Sequence, residues 1–154
     1  MLQSARFMLT YSTSRPRKDD EQETKSANPT GVEARLARHG GLSYLHMSAV
    51  DVHQSAAFYE QVFGSNMRGR DTDRPSFDNG TGHVSGAWMT DQAISREPGL
   101  LPFIYVDRID DTLEQVEAQG GQVAKALYPE GNLWVATFRD PAGNVIGLWQ
   151  EDAR

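Results

Sequence analysis

The sequence predicts an α+β fold made of two copies of one βαβββ module, each a mixed sheet with one helix on one face. Three observations predict it. The phrase Val84-Ser85-Gly86-Ala87-Trp88-Met89 recurs as Val145-Ile146-Gly147-Leu148-Trp149-Gln150, with Val, Gly and Trp in the same places. Each copy follows a turn containing glycine, at residues 79–82 and 140–144. Upstream of both stands one order of signals: an apolar run, a capping residue, helical spacing and a glycine stop.

In the first module, residues 42–50 read as a strand. Asp51 stands at an N-cap position, where a short carboxylate accepts from the first free helix N–H groups. Ala56, Tyr59, Val62 and Phe63 follow at helical spacing, and Gly64 takes the C′ position. Residues 66–70, 76–78 and 84–89 then read as strands. In the second module, residues 100–106 are the strand and Asp107 is the candidate cap. Ile109, Leu113 and Val116 recur at i, i+4 and i+7, and Gly120-Gly121 stops the helix. Residues 122–127, 133–139 and 145–150 supply the last strands, and residues 90–99 link the modules. A single helix covers one sheet face, so the other face needs a partner module or a bound molecule.

The 154-residue chain has room for one domain with a sizeable core. It has no apolar run of the roughly 18 residues that a membrane span needs. No cysteine is present, which removes disulfides and thiolate chemistry and fits a reducing compartment such as the cytoplasm. Residues 1–38 hold seven Lys/Arg and five Asp/Glu, hence +2; the rest hold eight and sixteen, hence −8, summing to the net −6. An acidic body with sparse cations is a poor partner for a phosphate backbone, so nucleic-acid binding is not expected. Residues 1–38 lack hydrophobic periodicity and are expected to be a disordered extension. Arg6, Arg15, Arg17 and Lys18 among Ser and Thr, without an acid before Asp19, also fit a transit segment, which would place the protein in an organelle. The domain is expected over residues 39–154, with modules at about 41–90 and 100–150.

Ser55-Ala56-Ala57-Phe58-Tyr59-Glu60-Gln61-Val62-Phe63-Gly64 resembles the first-helix signature of the vicinal oxygen chelate superfamily (glyoxalase, bleomycin resistance, dioxygenase). Asp140-Pro141-Ala142-Gly143-Asn144 is similar to that family's last hairpin, and residues 116–123 to its second helix end. The ending from Gly143 to Gln150 looks closest to a metal-poor subgroup, the predicted enzymes related to lactoylglutathione lyase. The resemblance implies a cupped eight-stranded mixed sheet with helices outside, and a homodimer. It fixes no activity, because one fold hosts many chemistries.

Metal-using members place His, Gln or Glu on the first and last strand of each module. Matched onto this chain, the four positions are Tyr44, Gly86, Leu101 and Gly147, which is not a ligand set. His46, two residues beyond Tyr44, is the one imidazole on the same strand face. His39, His53 and His83 fall in a linker, a helix start and a turn. No metal and no other cofactor are therefore expected.

Period-two alternation lines the implied cup with Tyr44, His46 and Ser48, with Val84, Gly86 and Trp88, with Leu101, Phe103 and Tyr105, and with Val145, Gly147 and Trp149. The candidate ligand-binding residues are Tyr44, His46, Trp88, Phe103, Tyr105 and Trp149. They suit a small aromatic or apolar molecule held by stacking, bound without a metal; the bland alternative is that these aromatics are core. No catalytic residue is assigned. His46 with Tyr44 or Tyr105 is the one acid–base combination on these strands. Two further readings stay open: a metal-dependent lyase, isomerase or dioxygenase with an atypical ligand set including His46, and a structural or interaction subunit.

Overall fold

Asp51 caps the first helix as its sequence position requires: its carboxylate accepts from the backbone N–H of His53 at 2.9 Å and Gln54 at 3.1 Å. The structure, a computed structural model, describes residues 34–151, and from Arg35 onwards these cluster as one unit. The expectations for residues 1–33 lie outside the described residues. Strand β1 (Tyr44–Ser48) leads to helix α1 (Val52–Phe63), then to β2 (Asn66–Arg68), β3 (Ser76–Asp78) and β4 (Ser85–Met89). The second module repeats this as β5 (Phe103–Tyr105), α2 (Ile109–Ala118), β6 (Gln122–Glu130), β7 (Leu133–Arg139) and β8 (Val145–Glu151). Among the described residues no helix is long and apolar enough to cross a membrane.

The eight strands form two hydrogen-bonded sheets of four, ordered β1-β4-β3-β2 and β5-β8-β7-β6. In each, the outer first strand runs parallel to its neighbour and the other pairs are antiparallel. The two-module α+β organisation is as expected. Strand β5 is shorter than expected, because Pro102 has no N–H and supplies only its carbonyl, to Gly147 N at 2.9 Å.

Helix α2 departs from its expected cap. Arg108, not Asp107, is the N-cap residue, and its side chain makes no cap bond. Gln150, on β8, instead accepts from the Ile109 N–H at 2.6 Å. The helix start rests against the last strand, so the acceptor comes from across the sheet.

The core lies on the helix-bearing side of the sheets. Phe58 and Tyr59 of α1 and Ile109, Leu113 and Val116 of α2 pack with Phe77, Trp88, Phe138 and Leu148, all buried. The Phe58 and Phe138 rings meet at 5.9 Å and join the modules. Burying such side chains contributes roughly 1.5–3 kcal/mol each.

Strand pairing corrects the repeat. On β4, Gly86 lies beside Leu45 and Trp88 beside Met47. Met47 packs on the core, and Trp88 is 2% exposed. Gly86 and Trp88 therefore face the helices, and Ser85, Ala87 and Met89 face away. In the second module, Gly147 lies beside Phe103 and Trp149 beside Tyr105, while Ile104 and Leu148 pack on the core. Here glycine and tryptophan face away from the helices. The cause is one residue of turn: six residues separate the paired Asp78 and Ser85, and five separate the paired Arg139 and Val145. A one-residue offset exchanges the two faces. The spatial counterparts of Gly147 and Trp149 are thus Ala87 and Met89.

Candidate functional site

The open faces, away from the helices, differ between the modules. The first is polar and closed on itself. Asp78 is buried, with Arg68 at 3.4 Å and Arg35 at 3.8 Å. The Arg68 guanidinium donates to Ser85 Oγ at 2.6 Å, and Ser85 Oγ lies 2.9 Å from the Phe77 carbonyl and 3.0 Å from Asp78 Oδ1. Sequence reasoning did not single out this cluster. Its members are polar residues scattered over three strands and the segment before β1, and only strand pairing brings them together.

The second open face is aromatic. Phe103 and Tyr105 are 44% and 49% exposed. Tyr105 and Trp149 meet edge to face at 4.8 Å. The Phe103 ring lies over Gly147, where an added Cβ would stand 2.4 Å from a ring carbon. The Tyr105 phenol is held above its ordinary value of 10.0, first by partial desolvation and then by the carboxylates of Asp107 and Glu151.

A cleft of about 160 Å³ runs along the seam between the sheets. Leu45, Leu100, Pro102 and Val145 give it apolar walls, and His46 and Ser48 add polar atoms. His46 Nδ1 lies 3.3 Å from Gln92 Nε2. The Gln92 side-chain amide is thus within hydrogen-bond reach of the imidazole. The Tyr44 ring stands edge-on to this imidazole at 5.7 Å.

A buried polar knot fixes one wall of the cleft. Asp140 Oδ1 accepts from the N–H groups of Ala142, Gly143 and Asn144 at 2.9–3.1 Å. Its Oδ2 accepts from the Tyr59 hydroxyl and from Asn144 Nδ2, both at 2.9 Å. Asn144 also donates to the Ser48 carbonyl at 2.6 Å and accepts from Ser95 N at 2.9 Å. Ser48, Ser95 and Asn144 all border the cleft, so α1, β1, the linker and the last hairpin are held together there. Burial, then the Asp140 charge and hydrogen bond, push the Tyr59 phenol well above its ordinary value. The sequence marked Asp140 to Asn144 as a hairpin and Tyr59 as a packing residue. That they bond over 81 residues could not be read from spacing.

Of the six ligand-binding candidates, His46 borders the cleft and Tyr44 touches His46. Phe103, Tyr105 and Trp149 share the second open face. Trp88 does not join them: it is in the core, against Tyr59 and Phe77. The corrected register also moves the second metal position from Gly86 to Ala87. Tyr44, Ala87, Leu101 and Gly147 offer no imidazole and no carboxylate, and among the described residues no three His, Cys, Asp or Glu come together as ligands. The donor set does not fit a divalent ion.

Two four-stranded sheets, each with one helix on one side and a cleft at their seam, define a glyoxalase-like class of protein. Residues 41–148 match the model of the Glyoxalase/Bleomycin resistance protein/Dioxygenase superfamily, and the chain belongs to that superfamily. No curated protein matches the sequence. Among solved structures, the chain is similar to a glyoxalase/bleomycin resistance protein/dioxygenase family enzyme from Burkholderia phytofirmans, at 22% identity and TM-score 0.60, covering 73% of this chain and 99% of that one. It is similar to the fosfomycin resistance protein FosX of Listeria monocytogenes, at 16% identity and TM-score 0.61, covering 74% and 95%. It is also similar to a lactoylglutathione lyase from Agrobacterium tumefaciens, at 20% identity and TM-score 0.52, covering 72% and 93%. At these identities the likeness is one of fold.

Proposed function

We propose that the protein binds a small aromatic or apolar molecule at the seam cleft, without a metal. The cleft itself carries this reading. Its volume of about 160 Å³ matches the roughly 150 Å³ that accepts a benzene-sized ring in an apolar cavity. Leu45, Leu100, Pro102 and Val145 supply dispersion contacts, and the His46 imidazole supplies one directional polar contact. Phe103, next to Pro102, extends the apolar surface onto the second open face, where Tyr105 and Trp149 continue it. The lack of ligating groups at Tyr44, Ala87, Leu101 and Gly147 supports a metal-independent role. A homodimer, which the family resemblance implies, belongs to the same proposal and would show as twice the chain mass in light scattering.

A thermal-shift screen of small aromatic compounds on chelator-treated protein tests the reading. We expect saturable stabilisation by at least one compound, lost when Val145→Phe fills the cleft. Stabilisation that requires an added divalent ion, or that survives Val145→Phe unchanged, would contradict it.

A further inference from the structure

The charged groups beside this site narrow the ligand class. We infer that the molecule bound is an aromatic acid, whose carboxylate is held by Arg139 while its ring occupies the cleft. The inference rests on the binding reading above.

Arg139 pairs with Val145 across the β7–β8 ladder, and Val145 walls the cleft. Directly opposed residues on neighbouring strands share a face, about 5 Å apart. Nη1 of Arg139 donates to the carbonyls of Arg96 at 3.2 Å and Gly143 at 3.4 Å. These bonds orient the guanidinium without neutralising it. Among the described residues its hydrogen bonds all leave from Nη1, so Nε–H and Nη2–H remain as a side-on pair. That fork matches the two oxygens of a carboxylate.

The surrounding charge agrees. Lys125 lies in the next row of the same face, paired with Thr137, itself paired with Gly147 under the Phe103 ring. Its ammonium sits 3.6 Å over the Tyr128 ring. Among the described residues neither Lys125 nor Arg139 is ion-paired. Of the acids on this face, Glu130 and Glu151 both pair with Leu133, and Asp107 stands with Glu151 beside the Tyr105 phenol. Leu133 is six residues from Arg139 along β7, about 20 Å at 3.3 Å per residue. Positive and negative ends are thus separated along the strands, on a body that is strongly acidic overall. An anionic end group is favoured at the Arg139 end and repelled at the other.

Titration of the full chain with benzoate and with its neutral counterpart benzamide, followed by calorimetry, tests the inference. We expect the acid to bind about tenfold tighter, as a charge-assisted bidentate bond warrants, and its advantage to shrink with added salt. In Arg139→Gln the acid-to-amide ratio should fall to about one, while Arg139→Lys should keep part of it. If Arg139→Gln fails to fold, the exposed Lys125→Gln should lower the same ratio. Equal affinity for the two probes, or a ratio unmoved by these substitutions, would overturn the inference and leave the binding reading intact. Binding of neither probe, including through self-association that covers the face, would overturn both.

Discussion

At the residue scale, the two glycines of the repeated phrase have opposite surroundings. A Cβ on Gly86 would stand 2.5 Å from the Leu45 carbonyl oxygen and 2.5 Å from the buried Phe77 ring. Neither neighbour can move cheaply, so Gly86→Ala should cost about 2–3 kcal/mol through overpacking. The atoms nearest a Cβ on Gly147 belong to the Phe103 ring, which is half-exposed and can swing outwards. Gly147→Ala should cost less than about 1 kcal/mol, yet weaken ligand binding by displacing Phe103. Urea unfolding of both variants checks this, and equal losses would contradict the face assignment. Tyr59 gives a second prediction. Its raised phenol pKa means that the folded state holds the proton more tightly than the unfolded chain does. The stability that this contributes is whole below about pH 10 and is lost as pH rises above it. Tyr59→Phe should cost about 2 kcal/mol at neutral pH, because Asp140 loses a donor. It should also flatten the decline above pH 10, and a decline as steep as in the parent would assign it to other groups.

Elements whose signals are local were readable in the sequence. Asp51 caps α1 through atoms two and three residues away, and Gly64 ends it in the left-handed region at φ 65°. Both depend only on neighbours in the chain. The cap of α2 was not readable, because its acceptor, Gln150, is 41 residues distant. Gln150→Ala should cost about 1 kcal/mol, as loss of an N-cap acceptor does, and Asp107→Ala should cost clearly less. Thermal unfolding of the pair decides which residue caps the helix. The facing of β4 departs from the expected one for a related reason. Alternation gives two faces but not which is which; that depends on turn length, and the first module's turn is one residue longer.

For the whole molecule, the pattern of strands, helices and glycines made the duplicated module readable, and the resemblance of residues 55–64 and 140–144 to the superfamily's motifs agrees with the family match over residues 41–148. The site was readable only in part. Tyr44, His46, Phe103, Tyr105 and Trp149 do lie on open faces, as strand periodicity required, whereas Trp88 entered the core. The polar knot around Asp140 and the Asp78 cluster were invisible, because each gathers residues distant in sequence. The two modules have diverged in kind: one open face carries ion pairs on Asp78, and the other presents aromatic rings beside Arg139, which among the described residues has no ion pair.

The central claim is that the seam cleft takes an aromatic molecule without a metal. Amide-resolved NMR titration of chelator-treated protein with benzoate tests it most directly. The account predicts saturable shifts at His46, Ser48, Leu100, Phe103 and Val145, with the first-module strand residues Asn66 and Ser76 unmoved. No saturable shift, or shifts at these residues only after a divalent ion is added, would contradict it.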